Sequence, residues 1–303
     1  MAVDRQFQVS SRCELLPYLT GLPLGLSRKQ AKDLLRFRAV TVKGKATVRH
    51  DTELAPGDVV TIAARKQVGD AALERQGLAI LHLDDAVVVV EKPAGLLSMG
   101  SEREKEKTVY RILNMHLKTL MRTPAQQVFI VHRLDRETSG LMMFARTEST
   151  QAALQRNWKG VIKRYLAIVE GVPADAHGTL KDRLVESRSL VVHRVEEGGE
   201  VAITHYRVLR AKGARSLLEL TLETGRRNQI RVQLAELGHP VIGDRKYGAK
   251  FSAKIGPKTG PAGRLALHAS ELKFRHPVSG VPMEFHSALP PRLWALIEAR
   301  APR

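Results

Sequence analysis

Residues Val131 to Arg146 read VHRLDRETSGLMMFAR. A short apolar run, Val128 to Val131, enters a charged turn; Thr138-Ser139-Gly140 follow, and a second apolar run, Leu141 to Ala145, leaves it. A strand that delivers a charged turn and continues as another strand is a common mount for a reactive group on a rigid scaffold. Within the turn, Asp135 stands between Arg133 and Arg136. An acid held among arginines keeps its charge at neutral pH, which suits a nucleophile or counter-ion and makes a poor proton donor. The competing reading is a solvated turn with a surface ion pair, which contributes little stability.

Outward from this turn, the chain shows many strands joined by short turns, with helices at irregular intervals. Apolar strands are expected at Leu78 to Leu81 and Ala86 to Val90, and helices near 108–120 and 149–158. Strands near 163–169, 201–210 and 216–223 come next, then a helix near 228–237, strands across 264–275 and a last helix at 291–298. No strict strand–helix–strand rhythm is present, so the expected class is α+β with a mostly antiparallel mixed sheet. Residues 252–263, with several glycines and prolines beside two lysines, read as a surface loop.

The N-terminal part forms its own unit by pattern. Leu15, Leu16 and Leu19 precede a helix from Leu26-Ser27 to about Phe37, with Ser27 as its cap; Val40 to Val42, a turn at Lys43-Gly44, Pro56-Gly57-Asp58 and the strand from Val59 complete it. Lys29, Lys32 and Arg36 share one helix face, while Ala31, Leu34 and Leu35 share another. Eight basic residues and one acid lie between Arg28 and Arg49, a bias better explained by phosphate contacts than by plain solvation. LSRKQAKDLL, VTVKG and LAPGDVVTI make residues 8–65 resemble the small α-L RNA-binding domain, although Arg38 and Lys43 stand where Gly and Asn are usual. Residues 66–77 read as a linker and 78–303 as a second, larger domain.

Composition points to the same partner. The 303 residues carry 49 Lys and Arg against 31 Asp and Glu, a net charge of +18, so a polyanion is the first ligand to consider. A hydrophobic content of 43% is enough for a real core. The single Cys13 cannot close an intrachain disulfide, and the 11 scattered histidines lack metal-ligand spacing, so no metal is expected. MAVDRQFQVS lacks a long apolar core, and the longest aliphatic run is far too short to span a bilayer. The expectation is a cytoplasmic, monomeric protein without membrane attachment.

Three further segments carry chemistry. Glu91-Lys92-Pro93-Ala94-Gly95-Leu96 reads as a strand leaving through a turn, Lys163-Arg164-Tyr165 as a strand start, and TGRRNQIRVQ, from Thr224, as a turn opening a helix with three arginines. Arginines there oppose the macrodipole, so a phosphate or a carboxylate should offset them. VHRLDRETSG, KRY, TGRRNQIRVQ with HPVIGDRKYG after it, and RLALHASELKFRHPVSG, taken in order, resemble the pseudouridine synthases of the RluA family from about Leu78 to Leu289. The HRLD form favours this family over the small-subunit type, in which Gly usually replaces the histidine of His132.

That resemblance implies a cofactor-free isomerisation of uridine in structured RNA, with ribosomal RNA favoured and transfer RNA as an alternative. Asp135 would be the catalytic Asp, adding to the sugar or the base or stabilising the transient species. Arg231 would pair with it, Tyr165 would stack on the target base and move a proton, and Ile230 would cover the base's other face. Arg133 would enter the RNA stack when the base is flipped, or contact a phosphate, and Arg226 would also face RNA. His132, Thr138 and Gly140 are expected to shape the loop. Asn228 and Gln233 replace histidines common in the family and are expected to bear on substrate preference. A non-catalytic RNA-binding or ribosome-assembly factor on the same fold is the rival class, with a DNA-binding regulator behind it.

Overall fold

The computed structural model describes residues 5–24, 26, 28–36, 39–62, 73, 76–100, 104–121, 127–248 and 264–298. The expected features at Ser27, Arg38 and 252–263, and most of the 66–77 linker, lie outside the described residues. The chain divides into two compact units, Met1–Val89 and Val90–Arg303.

In the first unit, β1 (Arg5–Gln8), β2 (Cys13–Glu14), α1 (Leu15–Gly21), α2 (Arg28–Arg36), β3 (Val40–Val42), β4 (Lys45–Ala46), β5 (Glu53–Leu54) and β6 (Val59–Ile62) precede β7 (Ala79–Leu83). The four-stranded sheet has the order β1-β6-β3-β4, and β2 pairs with β5. Leu15, Leu16 and Leu19 of α1 share a core with Ala31 and Leu35 of α2 and with Val40, Val60 and Ile62 of the sheet. Lys43 and Gly44, at φ 52° and 76°, supply the two left-handed residues that a tight hairpin turn between β3 and β4 needs. Lys32 is exposed on α2; the side chains of Lys29 and Arg36 lie outside the described residues.

The division between the units falls inside β8 (Val87–Lys92). The second unit continues with α3 (Val109–Met121), β9 (Phe129–Ile130), β10 (Ser139–Ala145), α4 (Glu148–Arg156), β11 (Ile162–Glu170), β12 (His177–Glu186), β13 (Val192–Val195), β14 (Glu200–Lys212), β15 (Arg215–Leu222), α5 (Gln229–Glu236), β16 (Leu267–Arg275), β17 (Pro282–His286) and α6 (Pro291–Glu298). Its sheet follows the path β13-β12-β14-β15-β11-β16-β10-β8, with β17 on β16 and β9 on β10. Pairing from β13 through β16 and β17 is antiparallel, whereas β10 lies parallel to β16. The class is α+β with a mostly antiparallel sheet, as expected.

Burial explains the apolar stretches. Every residue of β10 is buried, which is why SGLMMFA reads as a continuous run and not as an alternation. The preceding apolar run forms a strand only at Phe129–Ile130. Strand β12, HGTLKDRLVE, was not expected from the sequence: it is largely exposed and charged, so its two-residue period carries little apolar signal.

One register positions the site. Ala269 of β16 lies opposite Gly140 of β10 on one side and Tyr165 of β11 on the other. The end of the charged turn and Tyr165 therefore share one level of the sheet, two strand spacings or about 10 Å apart. Gly140 permits this approach: its φ is +112°, and a Cβ there would lie 2.1 Å from the Ala269 carbonyl oxygen.

Candidate active site

The turn bearing Asp135 is fastened from below by the exit of β8. Lys92, with no exposed surface, donates from Nζ to the carbonyls of Pro93 (2.9 Å), Leu96 (2.7 Å) and Arg136 (3.0 Å). Gly95 N donates to Arg136 O at 2.8 Å, and Arg136 Nε returns a bond to Gly95 O at 3.0 Å. Ser98 Oγ donates to Leu134 O and accepts from Leu134 N. The segment EKPAGLLS is thus a clamp, and nothing in its turn-like composition announces the buried lysine.

Three carbonyls take three protons from Lys92, which only the ammonium form supplies. Burial pushes it down to about 7, against the charges of Glu137 and Asp135. An amine lowered in this way gives up its proton, and with it one of the three bonds, at lower pH in the fold than in the unfolded chain, which holds it to about 10.4. In that window the unfolded state binds more protons, so this group adds stability as pH rises through it. Relative to Lys92→Met, the wild type should gain about 1 kcal/mol per pH unit from pH 7 to 9, with a flat difference below pH 6. Urea unfolding of both proteins across this range measures it; a constant difference would mean that the amine does not titrate in the fold.

Asp135 itself is met by two donors on one oxygen. Arg231 Nη1 lies 3.1 Å from Oδ2 and Asn228 Nδ2 lies 2.7 Å from the same atom. No described residue bonds Oδ1. The ion pair runs to Arg231, 96 residues away in sequence, and not to neighbouring Arg133 or Arg136. Arg231 is aimed by a second acid: Nε and Nη2 form a two-pronged pair with Asp244 at 2.7 and 2.8 Å. Asp244, with a fully buried side chain, also accepts from Lys246 N and Tyr247 N. Burial works against the guanidinium charge, but Asp244 and then Asp135 outweigh it and raise Arg231 above its ordinary value.

These elements meet in one cleft lined by Arg133, Asp135, Tyr165, Arg226, Ile230 and Arg231, together with Asn228, Leu222 and Leu267. Lys29, Lys32 and Arg36 belong to the first unit. Tyr165 is half-buried, and burial followed by the Asp135 charge raises its hydroxyl, which stays protonated and can donate. Ile230 is buried, whereas Arg133 is exposed and has no hydrogen-bond or ion-pair partner among the described residues. Arg226 Nη1 pairs with Glu200 at 2.6 Å and Arg227 pairs with Glu186, so carboxylates of the chain answer the arginines at the opening of α5. His132 is pushed down to about 3 by burial and then by Lys163; its Nε2 accepts from Met143 N at 3.0 Å, as befits a neutral ring.

The two substitutions relative to the family pattern stand in different places. Gln233 is 1% exposed and bonded to Thr204, Asp182 and Ala202, fastening α5 to β12 and β14 away from the cleft. Asn228 touches Asp135 directly, holding a left-handed φ of 52° as the residue before α5. Asp244 carried a signal in HPVIGDRKYG, but a lone acid in a turn does not reveal which arginine it faces. Elsewhere, Glu271, Glu284 and His286 lie within reach of one another. Lys273 pairs with both acids and Arg164 with Glu271, which makes this an ion-pair network on β16 and β17. Among the described residues, no helix is long and apolar enough to cross a membrane.

A carboxylate held on one oxygen, a protonated tyrosine and an apolar wall suit covalent or electrostatic catalysis on a flat ring. A family described as RNA pseudouridylate synthase matches residues 86–236. The ribosomal large subunit pseudouridine synthase D of Vibrio cholerae serotype O1 is 34% identical, with 87% of this chain and 84% of that protein covered. The protein of the same description from Pseudomonas aeruginosa is 31% identical, with 91% and 89% covered. Among solved structures, human RNA Pseudouridylate Synthase Domain Containing 4 matches with a TM-score of 0.61 and 27% identity, over 77% of this chain and 97% of that one. In sequence, fold and extent, this chain belongs to the RNA pseudouridylate synthase family.

Proposed function

We propose that this RNA pseudouridine synthase converts particular uridines of large-subunit ribosomal RNA, as a cytoplasmic monomer, with Asp135 as the reacting carboxylate. The observation that carries the reading is the asymmetry of that carboxylate: Arg231 and Asn228 both hold Oδ2, no described residue bonds Oδ1, and Asp135 lines a cleft with Tyr165 and Ile230. The reaction breaks the bond between uracil N1 and C1′, turns the base, and forms a bond from C5 to C1′ as the C5 proton leaves. Asp135 Oδ1 is suited to add to the sugar or base at this stage, and the protonated Tyr165 offers a ring face and an O–H. A target uridine within a helix reaches the cleft only when flipped out; Arg133, exposed and without a partner among the described residues, can take its place in the stack or hold a phosphate.

Residues 8–65 serve, in this reading, as an α-L RNA-binding domain, 66–77 as its linker and 78–303 as the catalytic domain. Lys32 is exposed on α2, and Lys29 and Arg36 belong to the same helix. The test is a pseudouridine map of total RNA from cells with and without the gene. Loss of specific pseudouridines from large-subunit RNA is the expected result. An unchanged map would remove the activity, and loss from transfer RNA alone would change the substrate.

A further inference from the structure

We propose that the turn between β12 and β13, Ser187 to Val191, is an RNA-contacting rim whose engagement is passed to Asp135 through Asn228; the inference rests on the RNA-modifying activity proposed above. The turn is built to hold one shape. Ser187 N donates to Val191 O at 2.8 Å, Leu190 N donates to Ser187 O at 2.9 Å, and Val191 N donates to Ser187 Oγ at 3.2 Å. In consequence Leu190 adopts a left-handed φ of 61°, unfavourable for leucine, and leaves its side chain 54% exposed. A strained residue that also shows an apolar side chain to water gains nothing for the fold from either property. Arg188, two residues before it, is exposed as well.

Three contacts tie this hairpin to the catalytic segment. Glu186 pairs with Arg227, the carbonyl of Leu190 accepts from Lys246 Nζ at 2.6 Å, and Val192 N donates to the Tyr247 hydroxyl at 3.0 Å. Lys246 Nζ and Tyr247 OH then converge on Asn228 Oδ1, at 3.4 and 3.2 Å. That convergence fixes the amide so that Nδ2 points to Asp135 Oδ2 at 2.7 Å. The backbone of the turn is therefore two hydrogen-bonded side chains from Asp135. A rotated Asn228 would set Nδ2 against two donors and take its support from Asp135.

The chemistry of the rim selects its partner. Leu190 offers an apolar face for a base, Arg188 a charge for a phosphate, and Lys246 and Arg227 lie behind them in a chain of net charge +18. A polyanion with exposed rings fits this surface. Such a partner, by holding the turn, would also hold Lys246 and through it the aim of Asp135.

Leu190→Gly separates this role from a structural one, because glycine relieves the left-handed strain while removing the side chain. Steady-state turnover of a ribosomal RNA fragment by wild type, Leu190→Gly, Arg188→Ala and Lys246→Met is the experiment, with thermal melts of each. Leu190→Gly is expected to melt at the wild-type temperature or higher and yet raise KM about tenfold, and Arg188→Ala to raise KM similarly. Lys246→Met should lower kcat about tenfold with little change in KM. If Leu190→Gly fails to fold, Leu190→Asn, which tolerates the same backbone, replaces it. Wild-type kcat and KM in both hairpin variants would overturn the inference, and a kcat unaffected by Lys246→Met would remove the coupling. A wild type inactive on every ribosomal RNA fragment would instead overturn the proposed function.

Discussion

Asp135→Asn lowers pseudouridine formation by on the order of 10⁴-fold while RNA affinity stays within a few-fold of wild type. The substitution is nearly isosteric, and the amide oxygen can occupy the position of Oδ2, accepting from Arg231 and Asn228 as the carboxylate does. What is lost is the free oxygen: Nδ2 takes its place, and an amide nitrogen neither attacks carbon nor stabilises positive charge. Arg231 keeps its two-pronged partner Asp244, so the fold loses little. Release of tritium from uridine labelled at carbon five reports turnover, and filter binding of the same RNA reports affinity. Retained release would take Asp135 out of the chemistry; lost binding would mean that the carboxylate organises the RNA surface and that the missing turnover is secondary.

Much of this site was readable from the sequence because its parts are local. The charged turn lies between apolar runs, and Tyr165 and Arg231 each sit in a short motif at a strand or helix start. What could not be read is the set of partners that tertiary structure supplies. Lys92 looks like a surface lysine beside a proline until the chain folds over it, and its three acceptors are backbone carbonyls, which carry no residue signature. Asn228 and Gln233 look equivalent as replacements for histidine, yet one faces Asp135 and the other turns towards β12 and β14, a difference set by the helix rotation and not by residue type. Strands β12, β13 and β17, which the apolar pattern does not reveal, lie at exposed edges or carry alternating charged residues. Apolar periodicity is weakest there, since one or both faces meet water.

Removing Asp244 should cost more stability than removing any other single acid of the site. Its side chain is fully buried and Arg231 is 13% exposed, so Asp244→Ala leaves a buried guanidinium with only the single bond to Asp135. Uncompensated burial of a charge of this kind costs about 3–5 kcal/mol. The donors Lys246 N and Tyr247 N lose their acceptor in the same step, which loosens the segment that supports Asn228. Activity of the folded fraction should fall about 10²-fold, because Arg231 is no longer aimed at Asp135 from a fixed base. Urea unfolding gives the first quantity, and single-turnover assays well below the unfolding midpoint give the second. A cycle with Arg231→Met separates the buried-charge cost from lost packing: methionine carries no charge, so the double variant should be about 2–3 kcal/mol more stable than the sum of the single changes predicts. Additive losses would show that Asp244 acts on its backbone donors alone and that Arg231 finds its aim without it.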